Sequence, residues 1–288
     1  MKYKTLFASA LLAALLLSGC GGQQDNSDVS ASAPEEPAVS AAVSLPQEPD
    51  VSPEPQLPVQ LRAPVTDPEQ LLPLVENGDW TWFDDAVMIG DSVSLKLKNF
   101  VVQQRQAFPE YFGGGQFLAS GSLGSANALW DVDDKSVHPS FQGEKMRLEE
   151  SIPLTGAKKV YMMLGINDIA VYGIDGAIEN YGKLLDSILA SVPDVEFYIQ
   201  SATPICEGAE VGELNNANLE IYNEKLKAMC EAREVHFVDV ASVLRGEDGY
   251  LPRDYCSDPD GMGIHLTDIA CQLWLGCLLD DVQRLQGI

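Results

Sequence analysis

The segment Ala86-Val87-Met88-Ile89-Gly90-Asp91-Ser92 decides the fold, because a short, continuous apolar run ends there in glycine, aspartate and serine. Such a run is typical of a strand that is buried on both faces of a sheet. Amphipathic helical patterns separate this run from others like it. The further strand-like runs are residues 160–164, 195–199 and 235–240, and the helical patterns are residues 67–76, 178–192, 219–231 and 267–285. The alternation predicts an α/β fold, with a parallel sheet covered on both faces and ligands at the carboxyl ends of its strands.

Composition limits the classes of function. The chain has 288 residues, with 43 Asp or Glu against 18 Lys or Arg, and a formal charge of −25. A nucleic-acid partner is not expected, because neutralising phosphates requires a clustered basic surface. Five cysteines follow residue 20 without the spacing of a zinc site. We therefore expect no metal or other cofactor, and the thiols to be buried and free or to form one optional disulfide.

The N-terminus resembles a bacterial lipoprotein signal. Lys2 and Lys4 precede an apolar stretch at residues 6–17, and Leu17-Ser18-Gly19 leads into Cys20. The resemblance implies a signal peptide over residues 1–19 and lipidation of Cys20, which would anchor the protein to the cell membrane, outside the cytoplasm. An ordinary secretory signal is the alternative. The Pro-, Ser- and Glu-rich residues 20–66 are predicted to be a disordered tether, and residues 67–288 one catalytic domain.

Three short motifs follow predicted strands or precede the last helix. Ser92 ends the first apolar run, Asn167 lies in Gly165-Ile166-Asn167-Asp168, and His265 lies in a glycine-rich loop before the C-terminal helix. Each motif alone is weak, since serine, asparagine and glycine are common at strand ends and turns. We expect Asp91 and Asp168 to fasten loops by accepting backbone N–H bonds.

In this order the motifs resemble the SGNH (GDSL) hydrolase superfamily over about residues 86–279. The resemblance implies a three-layer α/β/α, flavodoxin-like fold with a parallel sheet of about five strands. It implies that Ser92 is the nucleophile, that His265 is the general base, and that the Ser92 N–H and the Asn167 amide line the oxyanion hole. It also implies an N–H donor from a glycine that follows the second strand of the superfamily fold, which falls in residues 118–127 here, and Gly124 is preferred over Gly121.

The carboxylate that orients the histidine departs from the pattern of the superfamily. It usually stands three residues before the histidine, where this chain has Met262. Asp260 is our prediction, because the glycine beside it permits the turn that would bring it back to His265. Asp258 and a main-chain carbonyl remain the alternatives.

The sequence thus predicts a membrane-anchored serine esterase that removes small O-acyl groups, chiefly acetyl, through an acyl-serine intermediate. The expected substrate is an acylated small molecule or glycan. An O-acyltransferase acting on cell-wall glycan would use the same residues, and a non-catalytic binding lipoprotein is an alternative from another class. Trp80, Trp82 and Trp130 could stack on sugar rings, although packing is the commoner use of tryptophan. The sequence does not define the oligomeric state.

Overall fold

A computed structural model describes residues 61–288 of the chain. The predicted signal peptide, the predicted lipidation site Cys20 and residues 20–60 of the predicted tether lie outside the described residues. Within residues 61–288, no helix is both long enough and apolar enough to cross a membrane.

The centre of the fold is a five-stranded parallel sheet with the strand order β2-β1-β5-β6-β7. In chain order the strands are β1 (Ala86–Gly90), β2 (Gln116–Ala119), β3 (Ser140–Phe141), β4 (Glu144–Lys145), β5 (Lys159–Met163), β6 (Glu196–Gln200) and β7 (His236–Val238), of which β3 and β4 form a separate antiparallel pair. Gly90 is in register with Ala119 on one side and with Met163 on the other. The carboxyl ends of β1, β2 and β5 therefore lie side by side, which places the residues that follow them at one edge.

Helices cover both faces of the sheet. They are α1 (Pro68–Asn77), α2 (Ser92–Gln104), α3 (Leu148–Thr155), α4 (Ile166–Ser191), α5 (Asn216–Ala232), α6 (Ala241–Leu244) and α7 (Asp268–Gln286). Helix α7 packs against α1, α2 and α6, whereas α4 packs against α3 and α5. Every residue of β1 is buried between these layers. The predicted three-layer α/β/α fold with a parallel five-stranded sheet is confirmed.

Two side chains at the carboxyl edge of the sheet stand on helices that begin directly after their strands. Ser92 begins α2 directly, with Asp91 as its N-cap, so no loop separates the serine from the helix. Asn167 likewise lies in the first turn of α4, whose path breaks at Gly173, where φ is 66°. Both side chains are thus held by a helix N-terminus, a more rigid support than a loop.

Residues 61–66, which the sequence analysis assigns to the tether, contact α7. Arg62 Nη1 lies 2.6 Å from Asp280 Oδ1, and the Val65 N–H donates to Asp280 Oδ2 at 3.1 Å. Arg284 Nε in turn donates to the Arg62 carbonyl at 3.0 Å. Because Asp280 is only 2% exposed, these two donors replace the water that its charge would otherwise require. The folded part therefore begins ahead of the predicted residue 67.

Candidate active site

Ser92 stands at the carboxyl edge of β1, on the first turn of α2. Asp91 Oδ1 accepts the Val93 N–H at 2.9 Å and so caps the helix. As the first helical residue, Ser92 has a backbone N–H without an intrahelical acceptor, at the positive end of the helix dipole. A carbonyl oxygen that gains negative charge beside Ser92 would be stabilised there.

His265 connects Ser92 to a carboxylate. Its Nε2 lies 3.0 Å from Ser92 Oγ, and its Nδ1 lies 2.7 Å from Asp258 Oδ2. An ionised carboxylate only accepts hydrogen bonds, so Nδ1 carries the proton and Nε2 is left to accept the Ser92 hydroxyl proton. This is the tautomer that a general base needs.

The carboxylate is Asp258, and the prediction of Asp260 is wrong. Asp260 lies at the exposed tip of the loop, where its Oδ1 pairs with Arg253 Nη2 at 2.7 Å and its side chain is 87% exposed. The Asp258 carbonyl accepts the N–H groups of Gly261 and Gly263 at 2.8 and 3.1 Å. These bonds fold the intervening residues into a turn, which brings Asp258 back to His265.

Asp258 is held on several sides. Its Oδ1 also accepts the backbone N–H of His265 at 3.1 Å and faces the Cys256 Sγ at 3.3 Å. Burial alone would raise the pKa of the Asp258 carboxyl, but the hydrogen bonds from His265 and Cys256 outweigh it, and the pKa lies below its ordinary value. Asp258 therefore stays ionised, as an aspartate that holds a protonated Nδ1 must be.

Asn167 lies beside Asp91 at the same edge of the sheet. Its Nδ2 donates to Asp91 Oδ2 at 3.1 Å and to the Leu123 carbonyl at 3.0 Å. Because both neighbouring groups are acceptors, the end of the amide that faces them must be the NH2 group. The amide donor that the resemblance assigns to Asn167 is thus at the expected edge, with both protons bound to protein acceptors in this structure.

The two candidate glycines differ in how closely they are packed. A Cβ on Gly124 would lie 2.8 Å from Asp168 Oδ2, whereas a Cβ on Gly121 would meet nothing within 4 Å. Asp168 accepts the backbone N–H groups of Ser125 and Ala126 at 2.8 and 2.9 Å, which fastens this segment to α4 as expected. The Gly124 N–H donates to Asn127 Oδ1 at 2.8 Å, so it must leave that oxygen to reach an oxyanion.

The carboxyl of Asp91 has an unusual pKa for an aspartate. Burial raises the pKa of its carboxyl to about 6, against the opposing effects of the Val93 N–H and of nearby His265. The carboxylate also accepts from Asn167 and caps α2. Asp91 therefore connects the orientation of Asn167 to the helix that carries Ser92. The sequence signal for this role was its position between Gly90 and Ser92, which by itself indicates only a cap.

The predicted tryptophans separate into two groups. Trp80 packs on Tyr111, with ring centroids 5.0 Å apart, and Trp82 Nε1 donates to the Tyr161 hydroxyl at 2.9 Å. Trp130 is different, because 56% of its surface is exposed. It follows the short helix Asn127–Leu129, which begins three residues after Gly124. Of the three, Trp130 alone presents a large exposed surface close in sequence to the site.

A serine, a histidine and an aspartate joined in this order by hydrogen bonds, at a helix N-terminus on an α/β sheet, define the class of serine hydrolases. Residues 143–273 match the sequence model of the GDSL-like Lipase/Acylhydrolase family. This match contains Asn167, Asp258 and His265, while Ser92 and Gly124 precede it. This match confirms, over residues 143–273, the prediction of an SGNH (GDSL) hydrolase.

Several solved structures have a similar fold. A GDSL-like lipase from Bacteroides thetaiotaomicron is 16% identical, with a TM-score of 0.51 over 77% of this chain and 99% of that one. A Bacteroides fragilis protein, provisionally classed as an acylhydrolase, is 17% identical, with a TM-score of 0.52 over 70% and 86%. An acetyl xylan esterase is 10% identical, with a TM-score of 0.50 over 68% and 99%. A search of curated proteins found no match.

Proposed function

We propose that this protein is a lipid-anchored, extracytoplasmic serine esterase that removes acetyl groups from carbohydrate through an acyl-serine intermediate. The observation that carries the chemistry is the chain of contacts from Ser92 Oγ through the His265 ring to Asp258, at 3.0 and 2.7 Å. A binding protein has no need for a serine hydroxyl that donates to a correctly protonated imidazole. The non-catalytic alternative leaves this arrangement without a purpose.

The reaction proceeds in two acyl-transfer steps. His265 Nε2 takes the proton of Ser92 as Oγ attacks the ester carbonyl carbon, and it then returns that proton to the departing sugar hydroxyl. Water, deprotonated by the same nitrogen, attacks the acyl-serine and releases acetate and free Ser92. Asp258 holds the ring and stabilises the imidazolium that forms in each step.

The oxyanion of each tetrahedral intermediate would be held by preorganised donors. The Ser92 N–H has no acceptor within its helix. The Gly124 N–H would leave Asn127 Oδ1 and donate to the substrate oxygen instead. The Asn167 amide would likewise leave the Leu123 carbonyl for that oxygen. Removing one such donor from an oxyanion site typically costs about 2.7–4 kcal/mol of barrier.

The choice of substrate rests on two observations. One of the similar structures is an acetyl xylan esterase, which removes an acyl group of this size from a glycan. Trp130 presents an exposed aromatic face, and aromatic faces suit sugar rings. The location rests on the sequence of the N-terminus, since the residues that carry it precede the described part of the chain.

Hydrolysis of p-nitrophenyl acetate, butyrate and octanoate tests the chemistry, using the full chain purified in detergent with Ser92→Ala as the control. We expect serine-dependent turnover that is fastest with acetate, followed by release of acetate from acetylated xylan. Turnover that survives Ser92→Ala would refute serine chemistry. Acetate transferred to an added glycan instead of to water would indicate the acyltransferase, and no turnover with any ester would favour a binding protein.

Fractionation of the expressing cells tests the anchor. Wild type should sediment with membranes as a processed protein, and Cys20→Ala should either be released into the soluble extracytoplasmic fraction or retain an uncleaved N-terminus. Processed Cys20→Ala that sediments with membranes as wild type does would contradict lipidation at Cys20.

A further inference from the structure

The loop that carries Asp258 and His265 is long and needs anchors of its own. The two residues are seven positions apart, so the chain between them does not by itself fix one side chain against the other. The ends of the loop are joined by a short antiparallel bridge between Cys256 and Leu266. Beside the bridge, the Ser257 N–H donates to the His265 carbonyl at 2.7 Å. The loop is therefore closed at its base, and Cys256 stands at the point of closure.

The thiol of Cys256 is directed at the carboxylate of Asp258. Cys256 Sγ lies 3.3 Å from Asp258 Oδ1, within the distance of a sulfur hydrogen bond. Cys256 is 5% exposed, and its backbone N–H donates to the Arg253 carbonyl at 3.1 Å, so the backbone that presents the thiol is itself fixed. Burial raises the pKa of the thiol to about 12, so the sulfur keeps its proton at neutral pH and is a donor. Like the other described cysteines, Cys256 is free.

Each oxygen of the Asp258 carboxylate has its own donors. Oδ2 accepts the ring Nδ1–H of His265 at 2.7 Å, and Oδ1 accepts the backbone N–H of His265 at 3.1 Å together with the Cys256 S–H. Donors on both oxygens fix the plane of the carboxylate. Without the S–H, only one N–H holds Oδ1, and the carboxylate is freer to turn about its Cβ–Cγ bond. A turned carboxylate weakens the bond that holds the His265 ring in the orientation and tautomer that a general base needs.

We propose that Cys256 is a positioning residue for the ester hydrolysis, and that it acts on His265 through Asp258. Its thiol keeps Oδ1 in place while His265 Nε2 takes and returns the proton of Ser92. The inference rests on the proposed function, because it concerns the same acyl-transfer site. The S–H bond stays intact throughout, since Cys256 takes no part in the bonds that form and break. Sulfur is a weak donor, but a charged acceptor such as Asp258 strengthens the hydrogen bond.

Replacing Cys256 with alanine and with serine tests the proposal, because the two side chains are nearly equal in size and only serine keeps a donor. The assay is kcat and KM for p-nitrophenyl acetate, with the full chain in detergent and with reductant to keep the thiols free. Cys256→Ala should lower kcat about three- to tenfold, as the loss of one hydrogen bond would, and change KM by less than about twofold. Cys256→Ser should recover most of this loss.

Two further variants separate the donor from packing. Cys256→Val fills the space of the thiol without a donor, so it should lose at least as much kcat as Cys256→Ala, and it serves in place of the alanine variant if that variant does not fold. Cys230→Ala removes a buried thiol from α5, and its kcat should equal that of wild type. Wild-type kcat in folded Cys256→Ala or Cys256→Val, or equal losses in Cys256→Ser and Cys256→Val, would overturn the proposal. A loss of the same size in Cys230→Ala would do so as well.

The proton on His265 Nδ1 provides a readout that needs no ester. A proton held by a carboxylate gives a resonance far downfield in the proton NMR spectrum. That resonance moves upfield and exchanges faster with water when the hydrogen bond weakens. Both changes are expected in Cys256→Ala, largely reversed in Cys256→Ser, and absent from Cys230→Ala. An unchanged resonance in Cys256→Ala would overturn the proposal.

The two readouts distinguish failure of this inference from failure of the proposed function. If wild type shows no Ser92-dependent turnover but the resonance responds as expected, the proposed function is wrong and the positioning of Asp258 by Cys256 stands. If turnover is present and neither kcat nor the resonance responds to Cys256→Ala, the proposed function stands and this inference is wrong.

Discussion

Replacing Asp258 with asparagine is the sharpest test of the site, because the structure offers a matched control two residues away. Asp258 accepts the ring Nδ1–H and the backbone N–H of His265, and it faces the Cys256 thiol. Asparagine has nearly the same shape but only one accepting oxygen. Asp260 carries the same charge, yet among residues 61–288 its side chain bonds only to Arg253, on the surface.

The expected magnitude follows from the two ways in which the amide can be placed. If its NH2 group faces Nδ1, the imidazole must accept there, Nε2 carries the proton, and Ser92 has no base. If its oxygen faces Nδ1, the NH2 group confronts the His265 N–H and the Cys256 S–H. The same exchange in Ser-His-Asp triads lowers kcat about 10⁴-fold through the wrong tautomer. We expect a loss of about 10³–10⁴-fold, equivalent to about 4–5.5 kcal/mol of barrier.

The assay is kcat/KM for p-nitrophenyl acetate, measured with both variants and with Ser92→Ala as the background rate. Asp258→Asn should fall close to that background. Asp260→Asn should stay within about twofold of wild type, because an exposed ion pair contributes little. Losses of similar size in the two variants, or a mild loss in Asp258→Asn, would refute the assignment of the carboxylate. Such a result would indicate that a main-chain carbonyl orients the His265 ring.

Four other predictions test separate parts of the structure. The pKa of the Asp91 carboxyl is raised from 3.8 to about 6 in the folded state, so folding favours its protonated form. The free energy of unfolding should therefore decrease by about 3 kcal/mol in all as pH rises from below 3.8 to above 6. Urea unfolding should therefore show Asp91→Asn gaining about that much relative to wild type between pH 4 and pH 7.5, and a constant difference would contradict the buried charge. A chain that begins at residue 67 lacks Arg62 and should be about 1–3 kcal/mol less stable than one that begins at residue 61, because buried Asp280 loses its donors; equal melting temperatures would assign residues 61–66 to the tether. Asn167→Ala should lower kcat for p-nitrophenyl acetate about 10²–10³-fold with little change in KM, whereas a change confined to KM would remove the amide from the oxyanion site. Trp130→Ala should raise KM for acetylated xylan several-fold and leave p-nitrophenyl acetate unaffected, and an equal effect on both substrates would argue against a sugar contact.

The strands and helices could be predicted because their signals are local. A buried parallel strand is a continuous apolar run, and a helix that covers a sheet repeats its apolar residues every three or four positions. The apolar run before Ser92 is β1 in the structure, and the pattern at residues 178–192 is the second part of α4. The start of the folded part at residues 61–66 carried no such signal, since its contacts with Asp280 join residues more than 200 positions apart.

The sequence by itself determined the chemical groups at the edge of the sheet. Ser92, Asn167 and His265 could be identified because their motifs, taken in order along the chain, resemble those of the SGNH (GDSL) superfamily. Only the tertiary structure decided between Asp258 and Asp260. That choice depends on hydrogen bonds that fold the loop after Asp258. Such choices depend on how loops close in three dimensions, which the spacing of residues along the chain does not determine.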